Sequence, residues 1–148
     1  RADGSVVTWG APEYGGDCRA VQDRLRNVQC IQATESAFAA ILGDGSVVTW
    51  GNPVEGGNSG AVREQLQKVQ QVQSTSAAFA AILSGGLVVA WGSQELGGST
   101  NAVQERLRDV REIQSTRCAF AAVLGDGTVV SWGRILGSGG RLGQIFGQ

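Results

Sequence analysis

Residues 37–51 read Ala-Phe-Ala-Ala-Ile-Leu-Gly-Asp-Gly-Ser-Val-Val-Thr-Trp-Gly, two β-prone runs joined by an Asp-Gly pair. An Asp-Gly pair between such runs favours a tight turn with a positive backbone φ. Side chains alternate along a strand, so Phe38, Ala40 and Leu42 share one face and the apolar residues between them share the other. A strand that is apolar on both faces is covered on both sides. This stretch therefore predicts a β-hairpin between neighbouring layers.

The hairpin recurs with small changes at 78–92 and 119–133, an interval of 41 residues each time. Tryptophan, phenylalanine and leucine columns keep the same interval. The members of this predicted repeat core are Trp9, Trp50, Trp91, Trp132, Phe38, Phe79, Phe120, Leu25, Leu66 and Leu107. A period of this size is typical of solenoids, propellers and pseudo-symmetric barrels, which usually present a binding surface. We assign residues 1–133 to a repeat array and residues 134–148 to a glycine-rich C-terminal cap or tail.

Each unit also carries a segment that precedes the hairpin. Asp17, Asn58 and Ser99 occupy one column, and all three types accept hydrogen bonds at helix starts. The apolar spacing over 20–28 predicts an amphipathic helix of two to three turns, and residues 28–34 predict a first strand. The fold class that follows is mainly β with short helices. Three short strands and one helix per unit would form an open or partial β-propeller-like or solenoid array, whereas a β-trefoil or prism fits a recurring helix poorly.

The composition argues against several classes of partner. The 148 residues include 12 basic and 13 acidic side chains, a formal charge of −1, with 42% hydrophobic and 17% charged residues. A near-neutral, evenly spread charge lacks the footprint of a nucleic-acid or anionic-lipid binder, so we expect no nucleic-acid partner. The apolar runs are too short to span a bilayer, so membrane association is expected only through a partner. The chain begins inside a unit, which favours a piece of a longer array.

The reactive residue types point to no catalytic site. Cys18, Cys30 and Cys118 fall in different columns, which favours free thiols in a reducing, intracellular compartment over one disulfide or a reactive thiol. The chain contains no histidine, so Ser-His-Asp catalysis, Cys-His catalysis and histidine-containing zinc sites are excluded. The aspartates of the Asp-Gly pairs fit turn chemistry, since no second acid recurs at ligand spacing. We expect no enzyme activity, no cofactor and no metal.

One family shows the same order of features: a Val-x-x-Ile strand, Ala-Phe-Ala-Ala-Ile-Leu, Asp-Gly, Val-Val-x-Trp-Gly, then a glycine pair. In this order the chain resembles the regulator-of-chromosome-condensation repeat from Asp3 to Gly133. The resemblance implies that the units are blades of a β-propeller, which in that family has seven blades. The period of 41 residues is shorter than in that family, and a helix replaces the region of the outer strand. Members act as exchange factors for a small nuclear GTPase, bind chromatin, or recognise substrates within ubiquitin ligases.

The function predicted from these patterns is a noncatalytic protein–protein interaction module or structural scaffold subunit. Two alternatives stay open: a regulatory module of a GTPase-exchange or ubiquitin-ligase system, and a peripheral subunit of a large organelle membrane complex. Constant core columns beside variable loops are how a repeat scaffold carries specificity. The candidate partner-binding loop residues are Pro12, Glu13, Tyr14, Pro53, Glu55, Gln94 and Glu95. The candidate docking residues of the tail are Ile135, Leu136, Leu142, Ile145 and Phe146.

Overall fold

The computed structural model describes residues 1–134. Within them, nine strands form three antiparallel sheets, each with its strands in sequence order, which we call blades 1, 2 and 3. Blade 1 contains β1 (Val28–Ala33), β2 (Ala37–Leu42) and β3 (Val47–Gly51); blade 2 contains β4 (Val69–Ser74), β5 (Ala78–Leu83) and β6 (Val88–Gly92); blade 3 contains β7 (Val110–Ser115), β8 (Ala119–Leu124) and β9 (Val129–Gly133). The predicted fold class is confirmed. The chain is mainly β, its blades form an open array, and short helices lie between them.

The predicted hairpin forms in every blade with one register. In blade 1, Phe38 lies opposite Trp50 across β2 and β3. The Gly45 N–H donates a hydrogen bond of 2.9 Å to the Leu42 carbonyl, which closes the turn. Gly45 has a φ of +83°, so the predicted positive-φ turn is confirmed. The equivalent pairs in the later blades are Phe79 with Trp91 and Phe120 with Trp132.

Consecutive blades pack face to face. We call the side of a blade that faces the preceding unit its front face, and the side that faces the next unit its back face. Ala39 and Ile41 on the back face of blade 1 share one apolar cluster with Phe79 and Ala81 on the front face of blade 2. Blades 2 and 3 form the equivalent cluster. Ala39, Phe79 and Ala81 are each 0% exposed, since the small alanines let the two sheets approach closely.

The helical segments are shorter than the predicted two to three turns. They are single or double 3-10 turns, at Arg19–Arg24, Gly60–Val62 and Gln104–Arg106. Asn27, Lys68 and Asp109 have φ values of 55°, 54° and 52°, in the left-handed region that ends a right-handed helix. The strand of the next blade begins at the following residue. The chain must therefore turn before a regular amphipathic helix can form.

The first unit is represented by residues 5–9, which are equivalent in sequence to the third strand of a blade but are not paired into a sheet in the described residues. The Val28 N–H donates to the Gly4 carbonyl at 3.0 Å, just as the Val69 N–H donates to Gly45 at 2.9 Å. Residues 5–9 thus lie where the third strand of a blade in front of blade 1 would lie, and Val6 joins the apolar cluster there. Trp9 departs from the predicted core because it is 84% exposed. The later tryptophans stack on a phenylalanine twelve residues earlier, a contact that Trp9 does not make in the described residues.

Candidate functional site

The three predicted partner-binding loops lie at one edge of the array. The Asn52 N–H donates to the Ser36 carbonyl, and the Ser93 N–H donates to the Ala77 carbonyl, both at 2.9 Å. Each bond joins the loop after a blade to the turn between that blade's first two strands. We define the loop face as loops 11–15, 52–57 and 93–97 together with turns 34–36, 75–77 and 116–118. The Asp-Gly turns lie at the opposite edge.

A tryptophan fixes the base of each loop. The Trp50 Nε1–H donates to the Gly15 carbonyl at 3.1 Å, and that carbonyl belongs to the loop of the preceding unit, 35 residues earlier. The Trp50 ring also stacks on Phe38, with ring centroids 5.3 Å apart. Trp91 and Trp132 repeat both contacts, to the carbonyls of Gly56 and Gly97 and to the rings of Phe79 and Phe120. Each blade therefore holds the loop in front of it in one position.

Threonine hydroxyl groups hold the other side of the loops. The Thr34 hydroxyl donates to the Glu55 carbonyl at 3.1 Å, and the Thr75 hydroxyl donates to the Leu96 carbonyl at 2.8 Å. The Glu55 carboxylate accepts a further, short hydrogen bond from the Ser36 hydroxyl. These bonds anchor loops 52–57 and 93–97 at two points each. Such loops keep their shape while their side chains vary.

The structure separates the predicted loop residues into exposed and anchored ones. Tyr14 is 59% exposed and stands at the tip of the Pro12–Tyr14 turn. Glu55 is half-buried because its carboxylate is bonded to Ser36. The remaining predicted residues of these loops are exposed: Pro12, Glu13, Pro53, Gln94 and Glu95. The predicted tail residues, Ile135, Leu136, Leu142, Ile145 and Phe146, lie outside the described residues.

Two further features of the loop face come from the structure. Val54 is 74% exposed, the largest apolar exposure in these loops. The three turns form a backbone ladder, because the Glu35 N–H donates to the Ser76 carbonyl and the Ser76 N–H donates to the Arg117 carbonyl, both at 2.9 Å. Arg117 also pairs with Glu35 across blade 2 at 3.2 Å. The sequence signal for this ladder is a variable column, Glu35, Ser76 and Arg117, that follows a constant threonine. Only the structure shows that its members meet.

The predicted core columns lie inside the array except at its first member. Trp50, Trp91 and Trp132 are 5%, 4% and 2% exposed. Leu25, Leu66 and Leu107 are 1%, 3% and 0% exposed. Phe79 and Phe120 are 0% and 1% exposed, whereas Phe38 is only partly buried because it belongs to the front face of blade 1. These columns support the loops and contribute little to the surface.

The aspartates of the turns have local structural roles. The Asp44 carboxylate accepts hydrogen bonds from the Ser46 hydroxyl at 2.6 Å and the Ser46 N–H at 3.0 Å, which lower its pKa. Hydrogen bonds from Arg19 lower the pKa of Asp17 to about 2. Among residues 1–134, no cluster of three or more metal-ligating side chains occurs. The three cysteines are free, and Cys30 is exposed.

No helix in the described part of the chain is long and apolar enough to cross a membrane. No protein-family model and no curated protein matches the chain.

Solved structures share the arrangement of blades. Yeast RCC1 (Prp20) bound to Kap60 is 21% identical with a TM-score of 0.53, over 72% of this chain and 30% of that one. Human WBSCR16 is 23% identical with a TM-score of 0.55, over 82% and 39%. Prp20p of Saccharomyces cerevisiae in a further structure is 17% identical with a TM-score of 0.53, over 74% and 31%.

The chain thus spans between 30% and 39% of the length of these three proteins. Likeness at such identities shows the fold, because blade geometry is conserved while side chains are not. The predicted resemblance to the regulator-of-chromosome-condensation repeat is confirmed at that level. With its repeated three-stranded blades, its Trp-Gly columns and its open arrangement, the chain has the RCC1-like repeat fold.

Proposed function

We propose that this chain is a noncatalytic protein-interaction module that binds a protein partner through the loop face. The observation that carries the proposal is the contrast between constant anchors and variable tips. Gly15, Gly56 and Gly97 each accept a bond from a buried tryptophan. The three residues before them read Pro-Glu-Tyr, Pro-Val-Glu and Gln-Glu-Leu, so each loop presents a different set of side chains. A rigid support under variable side chains is the arrangement of a recognition surface.

The side chains of the loop face indicate the kind of protein surface that would fit. Tyr14 and Val54 are 59% and 74% exposed, which offers an apolar contact. Tyrosine is enriched among the few residues that contribute most of the binding energy at protein interfaces, and an exposed valine adds apolar contact area. Glu13 and Glu95 are exposed beside them. The partner expected from this chemistry has an apolar patch flanked by basic groups.

Proteins of similar fold support the proposal in general terms. Yeast RCC1 (Prp20) has been crystallised in a complex with Kap60, and Prp20p has been described with its binding to Gsp1p and histones. Gsp1p and histones are therefore defined probes for this chain. Regulation of a GTPase is the second candidate function, favoured by the similarity to Prp20. A nucleotide-release assay in which the chain leaves the rate of Gsp1p unchanged would remove that candidate.

The test of partner binding uses two substitutions of similar chemistry at opposite edges. Val54→Asp changes the loop face, and Leu87→Asp changes the opposite edge, where Leu87 is 52% exposed. Cross-linked affinity purification from the source, followed by mass spectrometry, would first identify a partner and the cross-linked residues. We expect V54D to weaken that partner's binding at least about tenfold and L87D to leave it unchanged. Equal binding by both variants would refute the loop face as the binding surface.

A further inference from the structure

The outer edge of β6, in the middle blade, is not paired with another strand among residues 1–134. Hydrogen-bonded pairs alternate along antiparallel strands, and the pair nearest the turn joins the Leu83 N–H to the Leu87 carbonyl at 2.8 Å. That alternation leaves the N–H and carbonyl of Ala90 pointing away from β5. Neither group bonds elsewhere within residues 1–134, and Ala90 is partly exposed. The edge of β6 therefore offers free backbone donors and acceptors.

A groove of about 480 Å³ runs along this edge. One wall is the segment that precedes blade 2 and includes Val54 and Val62, and the other is the segment that follows it and includes Gly98 and Thr100. Both walls lie within the described array, so the groove is shaped by neighbouring units and not by the limits of the sequence. Val54 also belongs to the loop face. The groove is therefore continuous with that surface.

The lining of the groove is uncharged. None of the side chains that line it in the described part of the chain is acidic or basic. Val62 packs against the apolar cluster on the front face of blade 2, whereas Thr100 and Gln104 make the other wall polar. Burying a charge without a partner costs far more than burying a neutral group. The ligand that fits is neutral, with an apolar side and a polar side.

Ala90 stands where the other units carry a hydroxyl group. Its column contains Thr8, Thr49 and Ser131. In blade 1 the Thr49 hydroxyl donates to the Gly57 carbonyl at 3.1 Å and lies 3.0 Å from the Ser59 Oγ. The side chain of Ala90 has no such group. Blade 1 therefore shows which chemical group fits beside Ala90.

The acceptors for such a hydroxyl are present beside Ala90. Gly98 and Thr100 are the equivalents of Gly57 and Ser59. The Gly98 carbonyl accepts no hydrogen bond within residues 1–134. The Thr100 hydroxyl donates a short hydrogen bond to the Gln104 side chain, so its oxygen is left as an acceptor. Thr100 is only 7% exposed, which makes a hydroxyl donor from a ligand the natural complement.

We propose that an extended segment of the protein partner pairs with the outer edge of β6 as a fourth strand and places a serine or threonine opposite Ala90. Directly opposite residues share one face of a sheet, so that hydroxyl lies on the side of Gly98 and Thr100. The residues before and after it point to the other wall, where Val62 favours apolar side chains. The recognised sequence is therefore apolar, Ser or Thr, apolar. This inference rests on the proposed function, because the segment belongs to the partner of the loop face.

Two synthetic peptides and one pair of variants test the strand pairing. The probe is fluorescently labelled Gly-Gly-Val-Thr-Val-Gly-Gly, and the control peptide has alanine in place of threonine. Ala90→Thr supplies the hydroxyl that Thr49 supplies in blade 1, so the variant should fold while the peptide's hydroxyl loses its place. Ala102→Thr is the matched control, because Ala102 is exposed and does not line the groove. Fluorescence anisotropy on the full chain measures binding, and circular dichroism reports folding.

We expect the unmodified chain and A102T to bind the threonine peptide at least about tenfold more tightly than the alanine peptide, the effect of one hydrogen bond to a buried acceptor. We expect A90T to bind the threonine peptide at least about tenfold more weakly than A102T does. The amide chemical shifts of Ala90 and Gly92 in the unmodified chain should change during the titration. No binding, equal binding of the two peptides, or equal binding by A90T and A102T would overturn the strand pairing.

The strand pairing and the loop face fail separately. Once a partner is identified, weaker binding by V54D with unchanged binding by A90T would leave the loop face standing and overturn the strand pairing. Equal binding of the partner by V54D and L87D would instead refute the loop face, whatever the peptides do. Nuclear Overhauser contacts from residues 135–148 to Ala90 in the full chain would overturn the strand pairing in favour of that segment as the occupant.

Discussion

Gly56 links loop 52–57 of the loop face to the core, so its substitution tests the packing argument directly. Gly56 has a φ of +109°, and its carbonyl accepts the bond from the Trp91 indole. A Cβ atom placed there would lie 2.6 Å from both Cδ2 and Cε2 of Phe79, which is fully buried. Gly56→Ala thus adds a methyl group where neither the backbone nor the neighbouring ring has room for it.

The magnitude follows from two separate costs. A non-glycine residue at positive φ costs about 1–2 kcal/mol. Forcing a methyl group into a packed core costs about 1–3 kcal/mol more. We therefore expect Gly56→Ala to lower the free energy of unfolding by roughly 2–5 kcal/mol. Gly85→Ala is the matched control, because Gly85 has a φ of +94° and no neighbouring atom within 4 Å of an added Cβ. Its expected cost is the backbone share, about 1–2 kcal/mol.

Urea denaturation followed by tryptophan fluorescence and circular dichroism measures both variants. Both variants share the effect of adding a methyl group at positive φ, so subtracting their losses of unfolding free energy removes it. The remaining difference is the packing cost at Gly56. Phe79→Leu in the Gly56→Ala background should recover part of the loss, since a smaller side chain relieves the contact, and a double-mutant cycle measures that recovery. A Gly56→Ala variant as stable as Gly85→Ala to within about 0.5 kcal/mol would refute the packing argument.

Three further predictions concern single side chains, and urea denaturation measures each of them. Trp91→Ala should cost about 3–5 kcal/mol, whereas Trp9→Ala should change stability by less than about 0.5 kcal/mol, because Trp91 is 4% exposed and Trp9 is 84% exposed. An equal loss in both would contradict the assigned burial. Lys68→Gly should stabilise the protein by about 0.5–1 kcal/mol, since Lys68 is held at a φ of 54° that glycine adopts freely. Hydrogen bonds lower the pKa of Asp17 from 3.8 to about 2. Their contribution to the free energy of unfolding is therefore fully present above about pH 4 and is lost as the pH falls toward 2. Between about pH 4 and about pH 2 the unmodified chain should therefore lose more stability than the Asp17→Asn variant. Parallel curves of unfolding free energy against pH for the two proteins would contradict this.

The blades were predictable because their signals are local. An apolar run, a glycine-containing turn and a second β-prone run with a tryptophan near its end specify the hairpin at 37–51, 78–92 and 119–133. Which phenylalanine and tryptophan rings meet comes from the strand register in the structure, where Phe38 lies opposite Trp50. These signals survive in the structure because each depends on backbone geometry inside one unit.

The predicted helix was too long because periodicity alone ignores how the segment must end. Val21 and Leu25 have helical spacing, yet Asn27 turns left-handed and Val28 already belongs to β1. Trp9 was assigned to the core from its column, although burial of a column member depends on its neighbours in space. The ladder from Glu35 to Arg117 was equally beyond local reasoning, since its members lie 82 residues apart.

The bond from each tryptophan to the preceding loop has a consequence for the order of assembly during synthesis. Trp50 needs the carbonyl of Gly15, which is translated 35 residues before it. Each later tryptophan likewise finds its acceptor in a loop that has already been made. As domains fold while the chain is still being translated, every new blade closes onto a finished one. We therefore expect the tryptophan contacts to form in order from the N-terminus, whereas the ladder that begins at Glu35 forms only after Ser76 and Arg117 have been made.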